Sequence, residues 1–273
     1  MKLTNISVIK ALMKRHGFTF TKSLGQNFLV NPSVCPKMAA GLTGTVIEIG
    51  AGIGVLTREL AKNAEKVIVI EIDESLKPIL AETLVDCDNV EIIWGDAMAV
   101  DSLQLTIDSE KVDVCANLPY YAATHIIMKL LESSLPINTI TAMVQEEVAQ
   151  RFTATPGSKQ YGIVSVAARF YSEPKMLFKV SRGSFMPAPN VDSAVIRLNA
   201  GAGLTHPQVA DEKQFFRLVR AAFSERRKQL CNPVSRELGV DKETVKSALA
   251  NPAARAEDLS LEEFVSLYRE LGL

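Results

Sequence analysis

Asn117-Leu118-Pro119-Tyr120 follows directly on the apolar run 112–116. An Asn, a Pro without a backbone N–H and an aromatic ring at the end of a buried strand suit a pocket for a flat molecule that carries an amino group. The Asn117 side-chain oxygen and the carbonyl of Leu118 or Pro119 are acceptors for the two hydrogens of an exocyclic amine, and Tyr120 offers a face for stacking. The same tetrapeptide also suits an ordinary strand-to-loop turn, because Asn and Pro are turn formers. The elements around it decide between the two.

Three further strand ends carry polar residues. The β-branched run 45–49 passes into Glu48-Ile49-Gly50-Ala51-Gly52-Ile53-Gly54, after which 55–62 has a helical pattern. Glycines there permit a tight turn and a close approach of backbone amides to a cofactor. A dinucleotide fingerprint needs a sixth-position glycine, where this chain has Val55, so the GxGxG spacing fits an S-adenosylmethionine turn better than an NAD turn. Glu71 closes the next strand pattern, 67–72, and lies 21 residues after Gly50 (71 minus 50), where an open α/β sheet presents an acid to a ribose diol. Asp96 follows the strand pattern 90–94 and is placed to accept from an adenine amine. Gly50, Glu71, Asp96 and Asn117 thus end four successive strands, and such sheets bind ligands beyond their carboxyl ends.

The elements that hold these ends in place read as follows. Residues 4–16 form a short basic helix closed by Gly17, and 21–29 is a polar loop, either a ligand cover or a solvated connector. Helices are expected over 123–132, 146–152 and 163–170, and strands over 140–144, 175–180 and 193–198. The loop 156–162 has Lys159 at its tip, and Pro187 and Pro189 fix the loop after Phe185. Beyond a linker at 201–206 only helical patterns remain; one, over 215–230, puts Phe216, Val219 and Phe223 on one face and Arg226, Arg227 and Lys228 at its end.

Composition narrows the class. A chain of 273 residues with 47% apolar and 22% charged content supports one large core and a small second domain. No apolar run is long enough to span a bilayer and the N-terminus has no signal-peptide pattern, so a cytoplasmic protein is expected. Four dispersed cysteines argue against disulfides and structural zinc. A net charge of −1 carries no nucleic-acid signature, but between Lys213 and Arg236 seven Lys or Arg face the single acid Glu225, which favours binding of a polyanion over a merely solvated face.

Taken together, the motif Ser23-Leu24-Gly25-Gln26-Asn27-Phe28-Leu29, the 48–54 turn, Gly95-Asp96-Ala97, Asn117-Leu118-Pro119-Tyr120, the 156–162 loop, 185–195 and Arg226-Arg227-Lys228 make this chain resemble the ribosomal RNA adenine dimethyltransferases. The resemblance spans about 21–236, and the 156–159 loop with Leu24-Gly25 sides with small-subunit rather than large-subunit members. It implies an α/β fold: a Rossmann-like class I methyltransferase sheet of seven strands in 1–200, and a small C-terminal all-helical domain in 201–273 that contacts RNA or the ribosome. It implies S-adenosylmethionine as methyl donor, no metal, and dimethylation of two adjacent adenosines near the 3′ end of small-subunit ribosomal RNA by a monomer acting on the immature small subunit during ribosome biogenesis. Carried over by motif, Asn27, Leu29, Gly50, Glu71, Asp96 and Asn117 line the cofactor site; Asn117, Leu118, Tyr120 and Phe185 surround the target adenine; and Arg226, Arg227 and Lys228 contact RNA. His125 and Cys231 depart from the family pattern, the first at a helix start, the second beside the basic triplet. The rival readings are a DNA adenine methyltransferase, an NAD oxidoreductase, and a non-catalytic ribosome assembly factor, which needs the basic edge but not Asn117 or Phe185.

Overall fold

A computed structural model describes residues 1–21, 25–102, 109–201 and 208–273. Lys22, Ser23 and Leu24 of the N-terminal loop and 202–207 of the linker lie outside the described residues. Seven strands form one sheet: β1 (Thr45–Ile49), β2 (Lys66–Glu71), β3 (Val90–Trp94), β4 (Val112–Asn117), β5 (Ile137–Gln145), β6 (Glu173–Val180) and β7 (Ser193–Asn199). Their order across the sheet is β3-β2-β1-β4-β5-β7-β6. The first five run parallel, and β7 pairs antiparallel with β5. Central strands of this kind are covered on both faces, which is why 46–47 and 67–69 are uninterrupted Val and Ile, all fully buried.

Chain order reverses between β1 and β4. The carboxyl ends of the five parallel strands therefore share one edge of the sheet, with a crevice where the order reverses. The register brings Ile49 level with Ile70, Glu71 with Trp94 and Asn117 with Met143. A separate ribbon pairs Phe28–Leu29 with Phe185–Met186, Leu29 opposite Phe185. Two residues per strand are too few to show any periodicity, so the sequence reads both segments as loop.

The chain divides into two compact units, one of residues 1–149 and 175–202, the other of 150–174 and 203–273. The sheet and the expected N-terminal helix, Ile6–Arg15 with Asn5 as its cap, characterise the first. This corrects the boundary at 200/201, because 150–174 belong with the helical unit. The reason is burial: Tyr161, Val166 and Phe170 share a core with Phe215, Leu218, Val234 and Phe264. The helix expected over 215–230 runs instead from Glu212 to Phe223, started by Asp211, whose side chain accepts from the amides of Lys213 (2.8 Å) and Gln214 (3.1 Å). Its buried face is Phe215, Leu218, Val219 and Ala222, at helical spacing, while Phe216 and Phe223 are half-buried. Arg226, Arg227 and Lys228 follow the helix in a turn rather than sitting on it. Among the described residues no helix is long and apolar enough to cross a membrane.

Candidate active site at the strand ends

One cavity in the first unit is lined by the ends of β1, β2 and β4, by Gly95 and Asp96 after β3, and by residues 25–29. The glycine turn fits its wall only because side chains are missing. Gly50 (φ 77°) and Gly54 (φ 85°) lie in the left-handed region, and a Cβ on Gly54 would stand 3.0 Å from the Leu84 side chain. Glu71 ties the turn to the second strand end: one carboxylate oxygen accepts from the Gly52 amide at 3.2 Å and the other from the Asp73 amide at 2.9 Å. Burial holds its carboxyl above the usual carboxylate range, against the pull of those two amides.

Glu48, which in the sequence stands out only as part of the glycine motif, is the most unusual group here. It lines the cavity and is fully buried, and neither carboxylate oxygen has a partner at full hydrogen-bond geometry, only the Thr57 hydroxyl nearby opposing the effect of burial. Burial pushes its pKa up to about 8. A buried carboxyl without a partner is costly unless a cationic ligand or a proton compensates it. A signal was available: it is the one charged residue in a strand whose other positions are Thr, Val and Ile.

The segment before the ribbon is bound to these strand ends. Gln26 receives the Thr21 amide at 2.9 Å and donates to Asp73 at 2.6 Å, so both amide ends of one side chain hold it. Asn27 donates to the Gly25 carbonyl at 2.8 Å and receives the Asn117 side-chain nitrogen on its own carbonyl at 3.4 Å. That contact assigns the Asn117 nitrogen as donor and leaves its oxygen as the acceptor. The Pro119 carbonyl already accepts from the Ala122 amide at 3.1 Å, whereas the Leu118 amide bonds Met143 O at 3.1 Å and its carbonyl is the acceptor left at this position. The Tyr120 hydroxyl sits 2.5 Å from Ser193 Oγ, which fixes the ring. Asp96 Oδ1 accepts from the Met98 amide at 2.8 Å, so the other oxygen is the one open to a ligand amine.

Of the sequence-derived residues, Asn27, Leu29, Gly50, Glu71, Asp96, Asn117, Leu118 and Tyr120 therefore meet on one cavity. Phe185 does not. It is 4% exposed, paired with Leu29 and packed in the core behind the cavity wall. The aromatic ring at the rim is instead Tyr121, 61% exposed, with its Cδ1 3.5 Å from where a Cβ on Gly25 would lie. His125 is exposed on the helix Ala123–Leu131, and Cys231 is fully buried in the helical core, so neither departure from the family pattern touches the cavity.

A profile of the ribosomal RNA adenine dimethylase family matches residues 17–272. The chain is 47% identical to Ribosomal RNA small subunit methyltransferase A of Geobacillus thermodenitrificans, with 96% of this chain and 94% of that one covered. It is 42% identical to the protein of that name from Streptococcus thermophilus over the full length of both. Among solved structures, a dimethyladenosine transferase from Plasmodium falciparum superposes with a TM-score of 0.76 at 25% identity, covering 90% of this chain and 98% of that one. The 23S rRNA methyltransferase ErmE does so with a TM-score of 0.71 at 27% identity, covering 90% and 100%. A glycine turn, an acid at each of the next two strand ends and the Asn-Leu-Pro-Tyr segment line one cavity, and the chain belongs to the ribosomal RNA adenine dimethylase family, as an S-adenosylmethionine-dependent methyltransferase.

Proposed function

We propose that this chain dimethylates the exocyclic amines of two adjacent adenosines near the 3′ end of small-subunit ribosomal RNA, acting as a monomer on the immature small subunit in the cytoplasm. The observation that carries the reading is the convergence of Asn117 and Leu118 on the cavity that Glu71 and Asp96 also line. The small-subunit assignment draws on relatives at 42–47% identity that carry that name, against 27% for the large-subunit enzyme.

The residues present fit the methyl donor. Glu71 faces a ribose diol, Asp96 an adenine amine, and the partnerless carboxyl of Glu48 matches a cationic ammonium. S-adenosylmethionine, when bound, supplies a sulfonium methyl that is already a strong electrophile. The difficulty lies with the acceptor, because the amine lone pair of adenine is delocalised into its ring. Asn117 Oδ1 and the Leu118 carbonyl accept the two amine hydrogens, draw them from the ring plane and localise the lone pair toward the donor; the cationic product then releases a proton to water. Holding the reactants in line contributes up to roughly 7–11 kcal/mol. Tyr120, locked by Ser193, stacks on the base, and Tyr121 at the rim serves the strand that enters, at about 1–3 kcal/mol per stacked base. A paired adenine cannot reach such a pocket, so unpaired loops are the substrates.

Incubation of immature small subunits and of large-subunit RNA with labelled S-adenosylmethionine, followed by mapping of modified bases, tests this. Two adjacent dimethyladenosines near the 3′ end are expected; labelling of large-subunit RNA alone, or of a single methyl per site at completion, would overturn it.

A further inference from the structure

The cations Arg226, Arg227 and Lys228 are not equivalent. Arg226 is consumed by the protein. Its Nη2 donates to the carbonyls of Lys159 (2.7 Å) and Tyr161 (2.8 Å) and reaches Ser158 O at 3.5 Å, while Nε pairs with Glu257 at 2.8 Å. The same loop is tied down twice more, by the Gly157 amide on Glu257 O at 2.7 Å and by the Tyr161 hydroxyl on Leu259 O at 2.8 Å. Lys228 pairs with Glu225 at 2.8 Å, and Glu225 also takes Arg236 at 2.8 Å. Lys159 and Arg227 are different: both are exposed, and neither has an ion-pair partner among the described residues.

We infer that Lys159 and Arg227 are the phosphate contacts of this surface, and that Arg226 is a positioning residue which fixes the spacing between them. The inference rests on the RNA-modifying reading above and narrows where the polyanion is held. The carbonyl that Arg226 grips belongs to Lys159, and Arg227 is the next residue in the chain, so one guanidinium connects the backbones of both free cations. A phosphodiester approaching Arg226 itself would have to displace Glu257 and the backbone carbonyls it holds. Two cations on segments tied to each other by hydrogen bonds lose less conformational freedom on binding than two on mobile loops. Such contacts hold the RNA in place without reading its bases.

The experiment measures binding of the full-length protein to small ribosomal subunits over a range of salt. Lys159→Ala and Arg227→Ala are each expected to reduce the log-log salt slope by about 0.7–0.9. Arg226→Lys keeps the charge but loses the planar fork. It is expected to weaken binding as Arg226→Ala does, to speed amide exchange at Gly157, and to make a further Lys159→Ala change without effect. A wild-type slope and exchange rate in Arg226→Lys, with binding lost only in Arg226→Ala, would overturn the positioning role. Unchanged slopes in Lys159→Ala and Arg227→Ala beside a reduced slope in Lys228→Ala would overturn the assignment of contacts. If none of these variants alters the slope while methyl transfer to the subunit persists, the surface is not a phosphate site and the proposal fails alone; if the wild type transfers no methyl group to the subunit, the proposed function fails first.

Discussion

The strand-end cavity and the basic turn carry their charge in opposite ways. In the cavity Glu48 is fully buried, and its carboxylate oxygens have no partner. In the turn Arg226 and Lys228, and in the helix after it Arg236, lie at the surface and are each paired with a carboxylate. A sequence count ranks these regions wrongly, since seven cations against one acid stand out where a single Glu in an apolar strand does not. What matters for a ligand is the charge that the fold leaves uncompensated. Near neutral pH the cavity holds Glu48 as a protonated acid that a cationic ligand can ionise, whereas the turn largely cancels its charge by pairing.

The sharpest break of that comparison is a pH titration of Glu48. Its native pKa, about 8, is raised above the ordinary 4.5, so the native state holds the proton more tightly than the unfolded chain does. The contribution is fully present below pH 4.5 and is lost as pH rises to about 8. At about 1.4 kcal/mol per unit over a 3.5-unit interval (8 minus 4.5), the loss is on the order of 5 kcal/mol. Glu48→Gln removes this titration, so denaturant unfolding of the ligand-free protein from pH 5 to 9 should show wild type falling relative to the variant. Parallel curves would mean that Glu48 is already compensated. Wild type should also release protons on binding S-adenosylmethionine near neutral pH, and the variant should not.

Phe185 tests the other side of the cavity wall. With its ring in the core, Phe185→Ala should destabilise by about 3–5 kcal/mol, whereas Phe185→Leu should keep most turnover. A Leu variant of normal stability that no longer methylates would move the ring to the substrate. Much of this region was legible: parallel strands buried on both faces announce themselves as β-branched runs, and their polar ends can be counted off. The ribbon that buries Phe185 was not, because pairing between residues 28–29 and 185–186 leaves no local pattern. Glu48 was legible as the one charge in its strand, but its lack of a partner was not, since whether a partner arrives is decided by chain far away. Arg226 shows the same effect in reverse, satisfied by a carbonyl 67 residues earlier.

Asn117→Ala removes an uncharged acceptor from the same cavity. The rate of methyl transfer should fall about 100- to 1000-fold, the scale of losing one preorganised hydrogen-bonding group. The decrease should not depend on pH, unlike any effect of Glu48. Single-turnover rates at pH 6.5 and 8.5 would check both points. Normal rates with weakened subunit binding would remove Asn117 from the chemistry.

The smallest effect sharpens the comparison from the basic turn. Glu225 holds two cations, Lys228 and Arg236, and their attraction keeps its carboxyl below the usual carboxylate range, Lys228 first. If the turn hides charge by pairing it, Glu225→Gln releases Lys228 entirely and leaves Arg236 only Glu237. The variant should then bind small subunits more tightly at low salt, with a log-log slope steeper by up to about 0.7–0.9 for each cation that now meets a phosphate. Surface pairs contribute little to stability, so the melting temperature should barely move. Equal slopes in wild type and variant would show that Lys228 and Arg236 point away from the RNA path, and that their pairing with Glu225 withholds nothing from the ligand.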